Sequence, residues 1–220
     1  MQTVNSASRR LRTATLLAVF GTSYIFLSRS LGTFFPAIFK QIHVVQASSL
    51  LSMLASATMV VFLICLYGSY LQMEQTRLRK ATLLAIIGTC AVFVLYVKGV
   101  FRVFDLFIYP HPFWTGHIEA IIPWASSIFM LVFFIAFFKE PHHKTQESLK
   151  RATLLAIMGS VTLASLRTVV FINFFYSGKF LWVPELARES PVILFPLFAF
   201  GFFAIIYFLI IFYREYASIA

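Results

Sequence analysis

The sequence predicts an all-α polytopic membrane protein of six transmembrane helices, built as three parallel two-helix repeats, with N- and C-termini cytoplasmic. Three observations carry this. Of 220 residues, 60% are hydrophobic and only 12% are charged, where a soluble domain has about half and about a quarter. The apolar residues fall in six runs, each near the roughly 20 residues a helix needs to cross a hydrocarbon core. And one phrase occurs three times: Ala14-Thr15-Leu16-Leu17-Ala18-Val19-Phe20-Gly21-Thr22 returns as Ala81-Thr82-Leu83-Leu84-Ala85-Ile86-Ile87-Gly88-Thr89 and as Ala152-Thr153-Leu154-Leu155-Ala156-Ile157-Met158-Gly159-Ser160.

The spans are placed at about 13–34, 46–71, 80–101, 115–138, 151–176 and 190–213. The first follows Arg9, Arg10 and Arg12. A basic stretch before an apolar run also fits a cleaved signal peptide. This run is long, lacks a small-x-small cleavage site and opens like two internal helices, so it reads as a retained span. The third and fifth spans open with the second and third copies of the phrase, after Arg79-Lys80 and Lys150-Arg151. The second, fourth and sixth complete each unit, and Pro123 and Pro196 should distort the fourth and sixth. The whole chain, 1–220, is one transmembrane domain with repeats at about 10–78, 79–149 and 150–220. A period near 70 residues with two spans per unit keeps all units in one orientation, related by an axis along the membrane normal.

Each copy of the phrase places small residues near one helix face. Between helices in lipid there is no hydrophobic drive, so close backbone approach through Gly and Ala supplies the packing. The phrase therefore reads as structural glue, or less simply as a ligand-lining seam. Thr15, Thr82 and Thr153 can bond back to the preceding turn.

The net charge is +10 and the pI about 9.9. On a soluble chain this would suggest nucleic acid. Here the cations cluster in short connections on one side: Arg9, Arg10, Arg12, Arg77, Arg79, Lys80, Lys139, Lys144, Lys150, Arg151 and Arg214. The positive-inside rule explains this and makes that side cytoplasmic. The opposite connections, Tyr109–Trp114 and Phe180–Pro184, are aromatic, as at a lipid interface. Cys65 and Cys90 fall inside spans, without metal-ligand or disulfide spacing.

The candidate site is the set of charges inside the spans. Arg29, Lys98 and Arg167 lie 15, 17 and 15 residues after the alanine that opens their copy. At 1.5 Å per residue this is roughly 22–26 Å from the cytoplasmic start. A central Arg or Lys costs about 2.5–3.5 kcal/mol on insertion scales, so its recurrence suggests a ring of cations for an anionic group. The alternative is snorkelling to the outer interface. Lys98, Arg102 and Asp105 share one helix face, and His117 and Glu119 open the fourth span. They form either an internal ion-pair network or the rest of an outer polar pocket.

The middle unit carries Phe101-Arg102-Val103-Phe104-Asp105-Leu106-Phe107, then Gly116-His117-Ile118-Glu119-Ala120, then Phe129-Met130-Leu131, and closes on Lys139-Glu140-Pro141-His142-His143. Over about residues 80–143 this resembles the second half of the fungal lipid-translocating exporter-like family. The resemblance implies a plasma-membrane or endomembrane protein that handles amphipathic lipids such as sphingoid bases. Arg102, Asp105, His117 and Glu119 would be the shared polar positions.

The expected function is binding or transport of an amphipathic lipid or small organic solute in an outer-leaflet pocket lined by Arg29, Lys98, Arg102, Asp105, His117, Glu119 and Arg167. Two alternatives stay open. One is a membrane enzyme acting on a lipid, with Asp105 and Glu119 as acid–base pair. The other is a structural or assembly subunit of a membrane complex. Expected partners are membrane lipids, a lipid-like or anionic ligand, and a membrane protein or second copy of the chain. No nucleic acid, metal or cofactor is implied: there is no phosphate loop, nucleophile elbow or metal-ligand spacing.

Overall fold

A computed structural model describes residues 2–38, 41–70, 76–103, 114–140, 146–177 and 191–217. They form six helices: α1 (Gln2–Phe34), α2 (Ile42–Tyr70), α3 (Thr76–Val103), α4 (Trp114–Phe138), α5 (Glu147–Ser177) and α6 (Pro191–Ala217). All six are long and apolar enough to cross a membrane, and no strand occurs among the described residues. The protein is an all-α polytopic membrane protein.

The helices outrun the spans expected from hydropathy, most at the start of α1, which begins at Gln2 rather than near residue 13. Hydropathy marks where the hydrocarbon begins. Gln2–Arg12 contains no Pro or Gly, so no strong breaker stops the helix at that boundary. The ends do have local causes. α1 stops at Phe34, one residue short of the residue before Pro36, where the proline ring disfavours helical backbone. Pro191 occupies the first position of α6, where its missing N–H costs nothing. Glu147 in the first turn of α5 suits the helix dipole and pairs with Arg151 one turn on.

Each helix packs against its sequence neighbours, and α6 returns to α1, so the six form a closed ring. At the basic end two aromatic clasps hold adjacent helices. The Arg79 guanidinium sits 5.6 Å from the Tyr67 ring centre and its Nε–H donates to the Tyr67 hydroxyl at 3.1 Å. Arg12 sits 5.1 Å from the Tyr213 ring and closes α1 on α6. Ser148 Oγ donates to the Glu215 carboxylate, joining α5 to α6.

The three copies of the phrase bury the same positions. Ala14, Ala81 and Ala152 are buried, as are Ala18, Ala85 and Ala156. Thr15, Thr82 and Thr153 are buried and donate to the carbonyls of Leu11, Leu78 and Leu149 at 2.7–2.8 Å. The large residues between them face outward: Phe20 is 65% exposed and Met158 51%. In a membrane this is the favourable sorting, because lipid tails solvate Leu and Phe as well as the protein interior does. Small residues turned inward let the backbones approach.

The glycines show how close that approach is. A Cβ on Gly21 would meet Thr58 Oγ1 and, at 2.6 Å, the Ala55 carbonyl of α2. On Gly88 it would meet Phe129 and Ser126 of α4 at 2.9 and 3.0 Å, and on Gly159 it would meet Ala204 and Gly201 of α6 at 2.6 and 3.0 Å. Four residues beyond Thr58, Phe129 and Ala204 stand Phe62, Phe133 and Phe208, all fully buried.

These phenylalanines fill the basic half of the ring. Phe208 of α6 meets Phe134 and Phe137 of α4 edge-on at 5.0 and 5.3 Å. Phe212 meets Phe62 of α2 at 5.6 Å and Phe137 at 5.9 Å. α2, α4 and α6 alternate around the ring, so fully buried rings that touch between them lie inside it. The edge-to-face geometry is the one aromatic quadrupoles favour. The result is an aromatic plug.

Among the described residues of the odd helices, one buried side chain lacks a bond. Thr89 Oγ1 donates to the Ala85 carbonyl at 2.6 Å, whereas Ser160, in the same place of the third copy, has a buried Oγ with no partner. A buried unmade hydrogen bond costs on the order of 1–3 kcal/mol. Ser160→Ala should therefore leave the thermal midpoint in detergent unchanged or raise it. A clear drop would mean that the hydroxyl is bonded.

Candidate functional site

Toward the far end, beyond the plug, polar side chains project from the odd helices. Arg29 of α1 and Tyr96 of α3 meet there. Arg29 Nη2 donates to the Tyr96 hydroxyl at 3.3 Å, and the guanidinium stands 5.9 Å from the ring centre. Arg29 therefore turns toward another helix of the ring. α1 and α3 flank α2, so this contact spans alternate helices, as the plug does among the even ones.

Tyr96 was not among the expected site residues, although the signal was available. It stands 15 residues after Ala81, the same step as Arg29 after Ala14 and Arg167 after Ala152. The cation of the middle copy, Lys98, stands two residues along. Lys98 is half-buried on α3, but the residue that reaches Arg29 is the phenol at the shared step.

Arg167 of α5 lies within electrostatic range of Tyr96 and Arg29. Its Nη1 donates to the Pro123 carbonyl of α4 at 2.5 Å. The α4–α5 seam around it is well tied. The indole N–H of Trp124 donates to Thr168 Oγ1 at 3.0 Å, and its ring stacks on Phe171 at 5.1 Å and 13°. Thr168 in turn donates to the Ala164 carbonyl at 2.8 Å. These contacts hold α5 against α4 just beyond Arg167. On α1 the Ser28 and Ser48 hydroxyls, 2.9 Å apart, tie α1 to α2 next to Arg29.

Three alternate helices thus bring two guanidiniums and a phenol into mutual range in the far half of the ring. Guanidiniums bind carboxylate and phosphate through paired N–H donors, and the phenol adds one more donor or acceptor. Asp105 lies outside the described residues, as do the side chains of Arg102, His117 and Glu119. Among the described residues no group of His, Cys, Asp and Glu could hold a metal, and Cys65 and Cys90 are free thiols.

Comparison with protein-family models, with curated proteins and with solved structures yields no match to this chain.

Proposed function

We propose that this integral membrane protein binds and moves an amphipathic anion, its head group held between Arg29, Tyr96 and Arg167 in the far half of the ring. The observation that carries this is the convergence of those residues from α1, α3 and α5, each at the same step of the repeated phrase. A charge in the membrane is costly. Packing alone does not call for two of them in reach of each other.

On this reading the three copies are parallel repeats around a pseudo-threefold axis, and the basic end is cytoplasmic. The pocket then faces the outer leaflet, and Lys98, Arg102, Asp105, His117 and Glu119 complete its polar lining. A carboxylate among them would balance the cations or take an amine on the same ligand, which keeps a zwitterionic lipid within range. The aromatic plug closes the cytoplasmic side, so transport would require the rings of Phe62, Phe137, Phe208 and Phe212 to part. Nothing in the chain resembles an ATP site, which leaves gradients or facilitated movement.

The test is native mass spectrometry of the gently extracted full chain, with lipidomics of what stays bound. One class of anionic or zwitterionic amphiphile should be retained by wild type. Arg29→Ala or Arg167→Ala should weaken its binding roughly 10- to 100-fold, the worth of a charge-assisted hydrogen bond. Tyr96→Phe should weaken it less. Retention unchanged in all three variants, or a stoichiometric protein partner and no lipid in wild type, would sink the proposal.

A further inference from the structure

A second amphipathic feature lies at the opposite end, away from Arg29 and Arg167. Between α1 and α2 the basic end carries an open groove of about 470 Å³, lined by Arg9, Arg10, Thr13, Leu17, Val61 and Cys65, with Ala14 at its base. Its upper edge is cationic and its floor apolar. Arg9 and Arg10 are exposed, and so are Leu17 and Val61. Arg10 of α1 lies within electrostatic range of the Cys65 thiol on α2. The Thr13 hydroxyl donates to the Arg9 carbonyl at 3.1 Å, beside the two guanidiniums.

The corresponding places in the other copies are not built this way. Arg9-Arg10 stand where the second copy has Thr76-Arg77 and the third has Glu147-Ser148. In the third copy those side chains are engaged within the protein surface: Glu147 pairs with Arg151 and Ser148 donates to Glu215. Counting from the buried Phe62 and Phe208, Val61 and Cys65 stand where α6 has Tyr207 and Ile211. The paired arginines occur in one unit of three.

We propose that this groove is a binding site for an anionic phospholipid of the leaflet at the basic end. The head-group phosphate and its extra negative charge lie against Arg9 and Arg10, and one acyl chain runs along Leu17, Val61 and Cys65. Basic residues at this level attract anionic lipid head groups at about 1 kcal/mol each, roughly fivefold in affinity per residue. The apolar floor continues into the bilayer, which suits an acyl chain and not a soluble anion. The site is independent of the far-half pocket.

The experiment titrates the purified full chain with phosphatidylserine or with phosphatidylcholine of the same acyl chains, read by native mass spectrometry. Phosphatidylserine should be preferred roughly 25-fold for one tightly held copy, two arginines at about fivefold each. The double variant Arg9→Gln/Arg10→Gln should abolish the preference and leave phosphatidylcholine binding as it was. Val61→Trp, filling the floor without touching charge, should weaken both lipids. Arg77→Gln, at the matching step of the second copy, should change nothing. Equal affinity for the two lipids would overturn the proposal. So would an equal loss in Arg77→Gln and the double variant, because the preference would then belong to the basic end as a whole.

Discussion

Gly159→Leu should be the most damaging single change in the protein. Gly159 and Gly201 face each other where α5 crosses α6, and a Cβ on either would come within about 3 Å of the other's carbonyl oxygen, at 3.0 and 3.1 Å. The obstacle is backbone, which cannot swing aside as a flexible side chain can. Overpacking a tight core costs about 1–3 kcal/mol and sometimes more, and a leucine here would force the two helices apart along their length. Gly21→Leu should act similarly at α1–α2, where Thr58 and the Ala55 carbonyl stand in the way. Gly68→Leu and Gly99→Leu provide the control, since nothing lies within 4 Å of a Cβ at either position. The measurement is the monodisperse fraction after extraction and its thermal midpoint. Loss in the first pair with near wild-type behaviour in the second is the expected result. Equal behaviour of all four would mean that the close crossings do not hold the ring.

Phe208→Ala should come next. Its ring is fully buried and touches Phe134, Phe137 and Phe212 from two even helices. Truncating a buried phenylalanine costs about 3–5 kcal/mol in soluble cores, part of it the cavity left behind. Within a membrane the transfer term is small, because lipid is as apolar as the core. The loss is then mainly lost dispersion contact, and the lower end of that range is expected. Phe20→Ala, at a ring 65% exposed to lipid, should change stability little. Unfolding in mixed micelles by titration with a denaturing detergent separates the two. If Phe20→Ala destabilised as much as Phe208→Ala, the plug would contribute no more than the lipid-facing surface.

The charge site was half legible in the sequence. Arg29 and Arg167 stand out because a guanidinium deep in an apolar run is costly enough to notice, and the shared step in the phrase pairs them. Tyr96 was missed because a tyrosine in a membrane helix is unremarkable by composition. Its place becomes visible only when the step is followed strictly and not by charge. The contact of Arg167 with the Pro123 carbonyl was not legible at all. It depends on which turn of α4 lies opposite α5, and no residue type announces that.

Composition and hydropathy by themselves determined the six membrane helices, because the length of an apolar run is a direct measure of hydrocarbon thickness. The tripled phrase likewise showed on its own where close packing is concentrated, since small residues at helical spacing have few other uses in lipid. Tertiary structure alone decided which face of each helix turns inward. In water, hydrophobicity would mark that face. In lipid both sides of a helix are apolar, so Leu16, Leu17 and Phe20 look as suited to the interior as Phe62 or Phe208. Contact geometry separates them: backbones meet at Gly21, Gly88 and Gly159, the even-helix phenylalanines fill the ring at the basic end, and Arg29 is left to reach Tyr96 beyond them.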